Sequence, residues 1–447
     1  MNKFFHSVTI DEDKCKGCIN CMKRCPTEAI RVREGKAKII SERCIDCGEC
    51  IRTCQNTAKK AVSDPFDMLE KFKWKVAMPA PSFYGQFDNI DDINYILTGL
   101  KHIGFDDVFE VSKAAEIATL LARENLNLLR QTVEGPIISS ACTAVVKLIR
   151  VRFPELCNNV LPIYEPIHLA SQMAKSEAIK KTGLAPEDIG IFFISPCPAK
   201  VTSAKSPIGG TKTQIDGVIS ASEVYMKMLS ALKKIDEPEN LMQSGIVGIN
   251  WATSGGEAAG LLTNNYLYAD GIENVIKVLE EIEDEKLNDL DFVELNACPG
   301  GCVGGVLNIA NAFVARSRIK TLRKYLPISK NKLEDSDKTH MYWDGVLKYE
   351  TVYKLDDNVS EAMSKMKKIN EICEKLPGLD CGSCGAPSCR AFAEDVVRGT
   401  AKESDCVIKF REELNLISGL GIELSSIVPI PFRNNGKQDK GDDDNDN

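Results

Sequence analysis

Between residues 75 and 300 the chain alternates short apolar runs with long amphipathic ones. The runs KVAMPAP (75–81), GPIISSA (135–141), IGIFFISP (189–196), GIVGIN (245–250) and DFVELNA (291–297) are bounded by Gly, Pro or Cys, which predicts buried strands. Between them, AAEIATLLARENLNLLRQTV (114–133) and ASEVYMKMLSALKKI (221–235) repeat apolar residues at helical spacing. VLEEIEDEKLNDLD (278–291) reads as the solvated face of a helix. Strand–helix alternation of this kind predicts an α/β architecture with its sites at the strand ends.

Composition adds little beyond a soluble class. Of 447 residues, 43% are hydrophobic and 27% charged, and 56 basic against 64 acidic residues give a net charge of −8. That balance speaks against nucleic acid as a partner. No apolar core of a signal peptide precedes DEDKCKGC, and no run approaches the ~18 apolar residues of a membrane span, so a cytoplasmic location is expected. The last stretch, RNNGKQDKGDDDNDN (433–447), has no apolar residue, and an acidic disordered tail is expected over 434–447.

Eighteen cysteines change the picture. Stable disulfides are rare in a reducing compartment, so cysteines in short regular groups point to metals. Eight lie in residues 1–70, five in 75–355 and five in 370–410.

CKGCINCMKRCP and CIDCGECIRTC each carry C-x2-C-x2-C-x3-C, the bacterial ferredoxin run. Three neighbouring thiolates hold one cubane and the fourth crosses to the other. One [4Fe–4S] cluster is thus expected on Cys15, Cys18, Cys21 and Cys54, and the second on Cys44, Cys47, Cys50 and Cys25. Zinc prefers paired CxxC units with a longer gap and fits poorly.

LPGLDCGSCGAPSCRAFAEDVVRGTAKESDC (376–406) supplies Cys381, Cys384, Cys389 and Cys406. It resembles the small four-cysteine iron–sulfur domain of bacterial electron-transport and corrinoid proteins, which implies a third [4Fe–4S] cluster; zinc is the competing metal. Cys157 reads as an apolar filler and Cys373 as structural.

Four cysteines remain, from three distant loops: SSACTAV gives Cys142, SPCPAK gives Cys197, and NACPGGCVGG gives Cys298 and Cys302. With only four histidines in the chain, this donor set suggests iron–sulfur or zinc chemistry. A CPGGC pair could complete a cubane while one of its sulfurs reaches a second metal unit.

The order and spacing of ISSACTAVV, ISPCPAK and VELNACPGGCVGG resemble the three signatures of the [FeFe]-hydrogenase catalytic domain over roughly residues 75–330. The resemblance implies a two-lobed α/β catalytic domain, preceded by a ferredoxin-like α+β 2[4Fe–4S] domain and followed by a small α-rich [4Fe–4S] domain. The expected divisions are 1–70, 75–355 and 370–412. It further implies an H-cluster: a cubane on Cys142, Cys197, Cys298 and Cys302, whose Cys302 sulfur also bridges to a two-iron subsite with CO, cyanide and dithiolate ligands. Lys200 matches the family lysine that hydrogen-bonds a cyanide. Catalytic roles thus fall on Cys302 and Lys200. The implied reaction is reversible H2 oxidation and proton reduction. Its partners are H2, protons, hydrogenase maturases, and a redox partner such as ferredoxin or a signalling protein.

Three departures qualify this expectation. The family's proton-relay cysteine is Ala141, and two customary methionines are Ser195 and Asn296. Only Glu124 and Glu165 suggest replacements for the usual acidic relay. A positioned proton donor is worth ~10²–10⁴-fold, so slow turnover and resemblance to the sensory, low-activity members follow. The alternative is a non-catalytic iron–sulfur electron carrier or cluster-assembly protein with a hydrogenase-like fold.

Overall fold

The computed structural model describes residues 6–210, 212–333 and 341–417. The chain forms two units, Met1–Lys354 and Leu355–Asn447. The segments expected as 1–70 and 75–355 share the first unit, save Leu355, which opens the second. The expected acidic tail lies outside the described residues.

The first unit opens with β1 (Val8–Ile10), β2 (Ile30–Arg33), β3 (Lys36–Ile39) and β4 (Lys59–Ala61). β1 pairs antiparallel with β4, and β2 with β3. Two four-residue helices, Asn20–Lys23 and Glu49–Arg52, carry the third cysteine of each CxxCxxC run, Cys21 and Cys50.

Seven further strands form two parallel sheets: β5 (Trp74–Pro79), β6 (Asp107–Val108), β7 (Ile137–Ile138), β8 (Ile189–Ser195), β9 (Gly217–Ser220), β10 (Tyr266–Asp270) and β11 (Phe292–Asn296). Their orders are β6-β5-β8-β9 and β10-β11-β7. This is the two-lobed α/β arrangement. β8 is buried along its whole length because both its faces meet apolar clusters, as parallel strands require. Ile189, Ile191 and Phe193 face one cluster, while Phe192 and Ile194 face the other. Against the first packs the helix Val111–Arg130, burying Ala114, Ile117 and Leu121. Each such Leu or Ile contributes about 1.5–3 kcal/mol.

One expected strand is absent. GIVGIN forms the helix Ile246–Asn250 instead. Short apolar runs fit either state by pattern. Here Gly248 decides, since a Cβ there would stand 2.1 Å from the Ser112 carbonyl oxygen of the helix Val111–Arg130. The run packs where only a bare backbone fits.

In the second unit the helices Val359–Lys375, Cys389–Val397 and Val407–Ile417 include the buried Ile369, Phe392 and Ala393. No described helix is long and apolar enough to cross a membrane.

Candidate metal centre

Each of the three cysteine loops leaves the carboxyl end of a parallel strand, the usual ligand position in such sheets. Cys142 follows β7 and caps the helix Thr143–Arg152. Cys197 follows β8 and caps the helix Pro198–Lys205, whose Pro198 suits a first helical position. Cys298 follows β11, and the chain then reverses through Gly300 and Gly301 at φ 78° and 87°. The second glycine is forced twice over, because a Cβ on Gly301 would lie 2.4 Å from the Ser254 amide nitrogen.

These loops bring Cys142, Cys197, Cys298 and Cys302 within electrostatic reach of one another. Burial first, then neighbouring thiols, push Cys197 up to about 12 and Cys298 well above the ordinary thiol value. Burial likewise pushes Cys302 up to about 11, with the Lys200 ammonium opposing it.

Lys200 is itself buried. Its Nζ donates to Glu165 Oε2 at 2.9 Å and to the Ala141 carbonyl at 3.1 Å. Burial alone would lower Lys200 and raise Glu165; their pairing reverses both, so the lysine stays charged and the carboxylate ionised. Glu165 also accepts from Thr143 Oγ1 at 2.6 Å and from the Ser203 hydroxyl. It therefore ties the helix after Cys142 to the helix after Cys197. Glu124, the other acid singled out in the sequence, lies on an exposed helix face.

Beside Cys302 and Lys200 is a cavity of about 50 Å³. Ala80, Val111, Ile167, Phe193 and Ala141 give it apolar walls, and Glu257 and Glu294 are its two carboxyls. Sequence reasoning missed this pair. Glu294 accepts from the amides of Gly255 and Ala258 at 3.0 and 2.9 Å and from Asn296 Nδ2 at 2.8 Å. Among the described residues Glu257 receives the Ser139 hydroxyl alone, at 2.5 Å. Burial and the adjacent Glu294 raise Glu257 to about 8; burial also raises Glu294. Glu257 is thus the member that keeps a proton, because Glu294 has three N–H donors stabilising its anion. The signal in the sequence was a lone acid inside the apolar strand FVELN, where a charge needs a partner.

Two of the departures acquire local roles here. Asn296 is a donor to Glu294. Ser195 Oγ donates to the Cys197 carbonyl at 2.9 Å and accepts from its amide at 3.3 Å, fixing that turn.

In the N-terminal segment, Cys21 feels Cys18, Cys54 and Cys15, while Cys47 feels Cys50, Cys25 and Cys44. The amides of Ala37, Ala29 and Ala58 point at the sulfurs of Cys15, Cys25 and Cys54 at 3.4, 3.2 and 3.3 Å. Such donors favour thiolate and shape cluster potentials. Asp46, between Cys44 and Cys47, is buried. It accepts from the Ser7 amide at 2.8 Å, from Thr202 Oγ1 at 2.7 Å and from Lys147 Nζ at 3.2 Å. Lys147 and Thr202 stand on the helices after Cys142 and Cys197.

In the second unit Cys384 feels Cys406 and Cys381. The Cys389 amide donates to Asp380 Oδ1 at 2.6 Å, and Ser388 caps the helix Cys389–Val397. Cys373 comes within electrostatic reach of Cys389. Cys157 is buried among Phe153 and Leu156 in an apolar cluster.

The chain belongs to the family described as "Iron only hydrogenase large subunit, C-terminal domain", whose model matches residues 73–262 and 242–306. A "4Fe-4S dicluster domain" model matches residues 7–55 and an Fe–S cluster model matches 376–408. Among relatives, "Iron hydrogenase 1" of Clostridium pasteurianum is 25% identical over 373 residues, 67% of this chain and 64% of that one. "Probable cytosolic Fe-S cluster assembly factor oxy-4" of Caenorhabditis elegans is 22% identical over 358 residues, 66% of this chain and 78% of that one. The chain thus spans under two thirds of the hydrogenase's length and a larger share of the assembly factor's. A solved [FeFe]-hydrogenase HydA1 from Chlamydomonas reinhardtii superposes with a TM-score of 0.46 at 18% identity, over 61% of this chain and 88% of that one.

Proposed function

We propose that the chain is an [FeFe]-hydrogenase-type oxidoreductase of low turnover, interconverting H2 with protons and electrons in a sensory or regulatory role. One observation carries the reading: four thiols and a buried ammonium, Lys200, converge from the ends of parallel strands.

The donor set fits a six-iron H-cluster. It has four thiols, and burial and crowding make three of them, Cys197, Cys298 and Cys302, resist ionising until a metal supplies counter-charge. Cys142, Cys197, Cys298 and Cys302 would hold the cubane, and Cys302 would be shared with the two-iron subsite. When bound, the group supplies the metal site for heterolytic H2 chemistry and an electron sink. Lys200, kept charged by Glu165, is placed to donate to an anionic ligand, while the apolar walls exclude water. Ala141 carries no proton. Glu257 holds one at the cavity wall, and Ser139 links that carboxyl to the Ala141 amide, at 2.5 and 3.1 Å. We assign the proton exchange of this site to Glu257 and Glu294, with Glu165 as the counter-charge of Lys200.

Two [4Fe–4S] clusters, on Cys15, Cys18, Cys21 and Cys54 and on Cys25, Cys44, Cys47 and Cys50, would pass electrons inward. A further cluster would sit on Cys381, Cys384, Cys389 and Cys406. These sets assign separate tasks to residues 1–70, 75–355 and 370–412, with a ferredoxin or signalling protein as electron partner and maturases installing the two-iron subsite.

A second reading, a non-catalytic carrier or assembly protein, draws support from Ala141 and from the named role of the nematode relative. Loading the anaerobic full-length protein with a synthetic diiron complex separates the two. Infrared bands of CO and cyanide with H2/D2O exchange support the hydrogenase. A filled cubane with no such bands supports the carrier.

A further inference from the structure

Behind the CPGGC loop lies an open cleft of about 570 Å³ that no cysteine lines. One wall is the helix Ala312–Leu322 with Arg323 just beyond it. Arg316, Lys320 and Arg323 form a stripe there at spacings of four and three residues. The opposite wall is β10, presenting Tyr266 and Tyr268, and Phe313 stands 73% exposed at the rim. The floor is the turn from Thr253 to Gly256.

Three features make this a built site. No acidic residue lines the cleft, although the chain carries a net charge of −8. None of the three cations has an acidic partner among the described residues; Arg323 donates to the Asn250 side-chain carbonyl. The Ser254 hydroxyl on the floor is buried with no partner, in a residue 4% exposed. An unpaired buried hydroxyl costs about 1–3 kcal/mol. Cations without an acidic partner call for an anion, and rings at the mouth call for a flat π-face. The volume is that of a small-molecule site rather than a protein contact.

We propose that this cleft binds a nucleoside phosphate, with its phosphates on Arg316, Lys320 and Arg323 and its base against Tyr268 and Phe313. The floor makes the ligand an effector. The Ser254 amide donates to the Gly300 carbonyl at 3.1 Å, and Val303 donates to the Ala252 carbonyl at 2.9 Å. Fixing residues 253–255 therefore fixes the loop bearing Cys298 and Cys302. The effector role, though not the binding, rests on the function proposed above.

Calorimetry on the full-length, iron–sulfur-loaded protein tests the binding, with ADP as probe and pyrophosphate and adenosine as separate arms. ADP is expected to bind saturably, and more tightly than either arm. R316A/K320A, both exposed, should weaken ADP and pyrophosphate at least ~10-fold, the worth of one charge-assisted bond. Y268A should weaken ADP and spare pyrophosphate. No heat with ADP at millimolar concentration, or ADP affinity unmoved by R316A/K320A, overturns the site. Equal affinity for pyrophosphate and ADP overturns the nucleoside assignment. In diiron-loaded protein, ADP should shift the CO and cyanide bands. ADP binding without that shift overturns the effector role, whereas absence of the bands themselves counts against the hydrogenase reading and leaves the calorimetry standing.

Discussion

Glu165 and Lys200 form a buried ion pair at 2.9 Å, and the carboxylate at its centre also holds Thr143 and Ser203. Two of the three cysteine loops are therefore registered through one side chain. Removing one partner of a buried pair leaves the other charge uncompensated, at a cost of about 3–5 kcal/mol. E165Q should lower the guanidinium unfolding midpoint by that equivalent and reduce iron content after reconstitution. K200M, which removes the other charge, should fold worse than the double variant E165Q/K200M. Equal stability of all three would mean the pair does not organise the loops.

The carboxyl pair at the cavity predicts a pH dependence with a definite sign. Glu257 is raised to about 8 in the folded chain from an ordinary value near ~4.5. Between those limits the folded state keeps a proton that the unfolded state has released, so stability falls as pH rises through this window. Its contribution is complete below the ordinary value and gone above about 8. E257Q keeps the shape and removes the titration. Denaturation midpoints between about pH 5 and 8 should slope downward less steeply in E257Q than in the parent.

The same pair should limit turnover. With Ala141 unable to relay, E257Q in diiron-loaded protein should lower H2 evolution by roughly 10²-fold, the low end for a positioned proton donor. Infrared bands should persist, since Glu257 is not among the thiol set. A141C adds a thiol at the cavity wall and should restore part of the loss. If E257Q leaves the rate unchanged, protons travel elsewhere.

Cys302 discriminates between cluster and subsite. C302A should lose the CO and cyanide bands after diiron loading while the N-terminal cluster signals in electron paramagnetic resonance persist. Bands retained in C302A would exclude a shared sulfur at this position.

Much of this was legible before any coordinates. Cysteine spacing is local, and Pro-Gly-Gly has few backbone options, so the ferredoxin runs and the CPGGC turn could be read directly. Strand ends were legible because buried parallel strands leave continuous apolar runs such as IGIFFIS. GIVGIN misled for the same reason: its apolar pattern is satisfied by a helix once Gly248 lets backbones touch. The Glu257–Glu294 pair was hidden because its members are 37 positions apart, and only packing of the helix Gly256–Gly260 beside β11 brings them together. Glu165 was seen but its task was not, since nothing in the chain order announces that Lys200 will claim it.

Asp46 carries one last consequence. Its carboxylate joins the ferredoxin-like loop to Lys147 and Thr202. A truncated chain begun after residue 70 would lose the one carboxylate to which both Lys147 and Thr202 donate, and a transplanted N-terminal segment would need an aspartate waiting at the same corner.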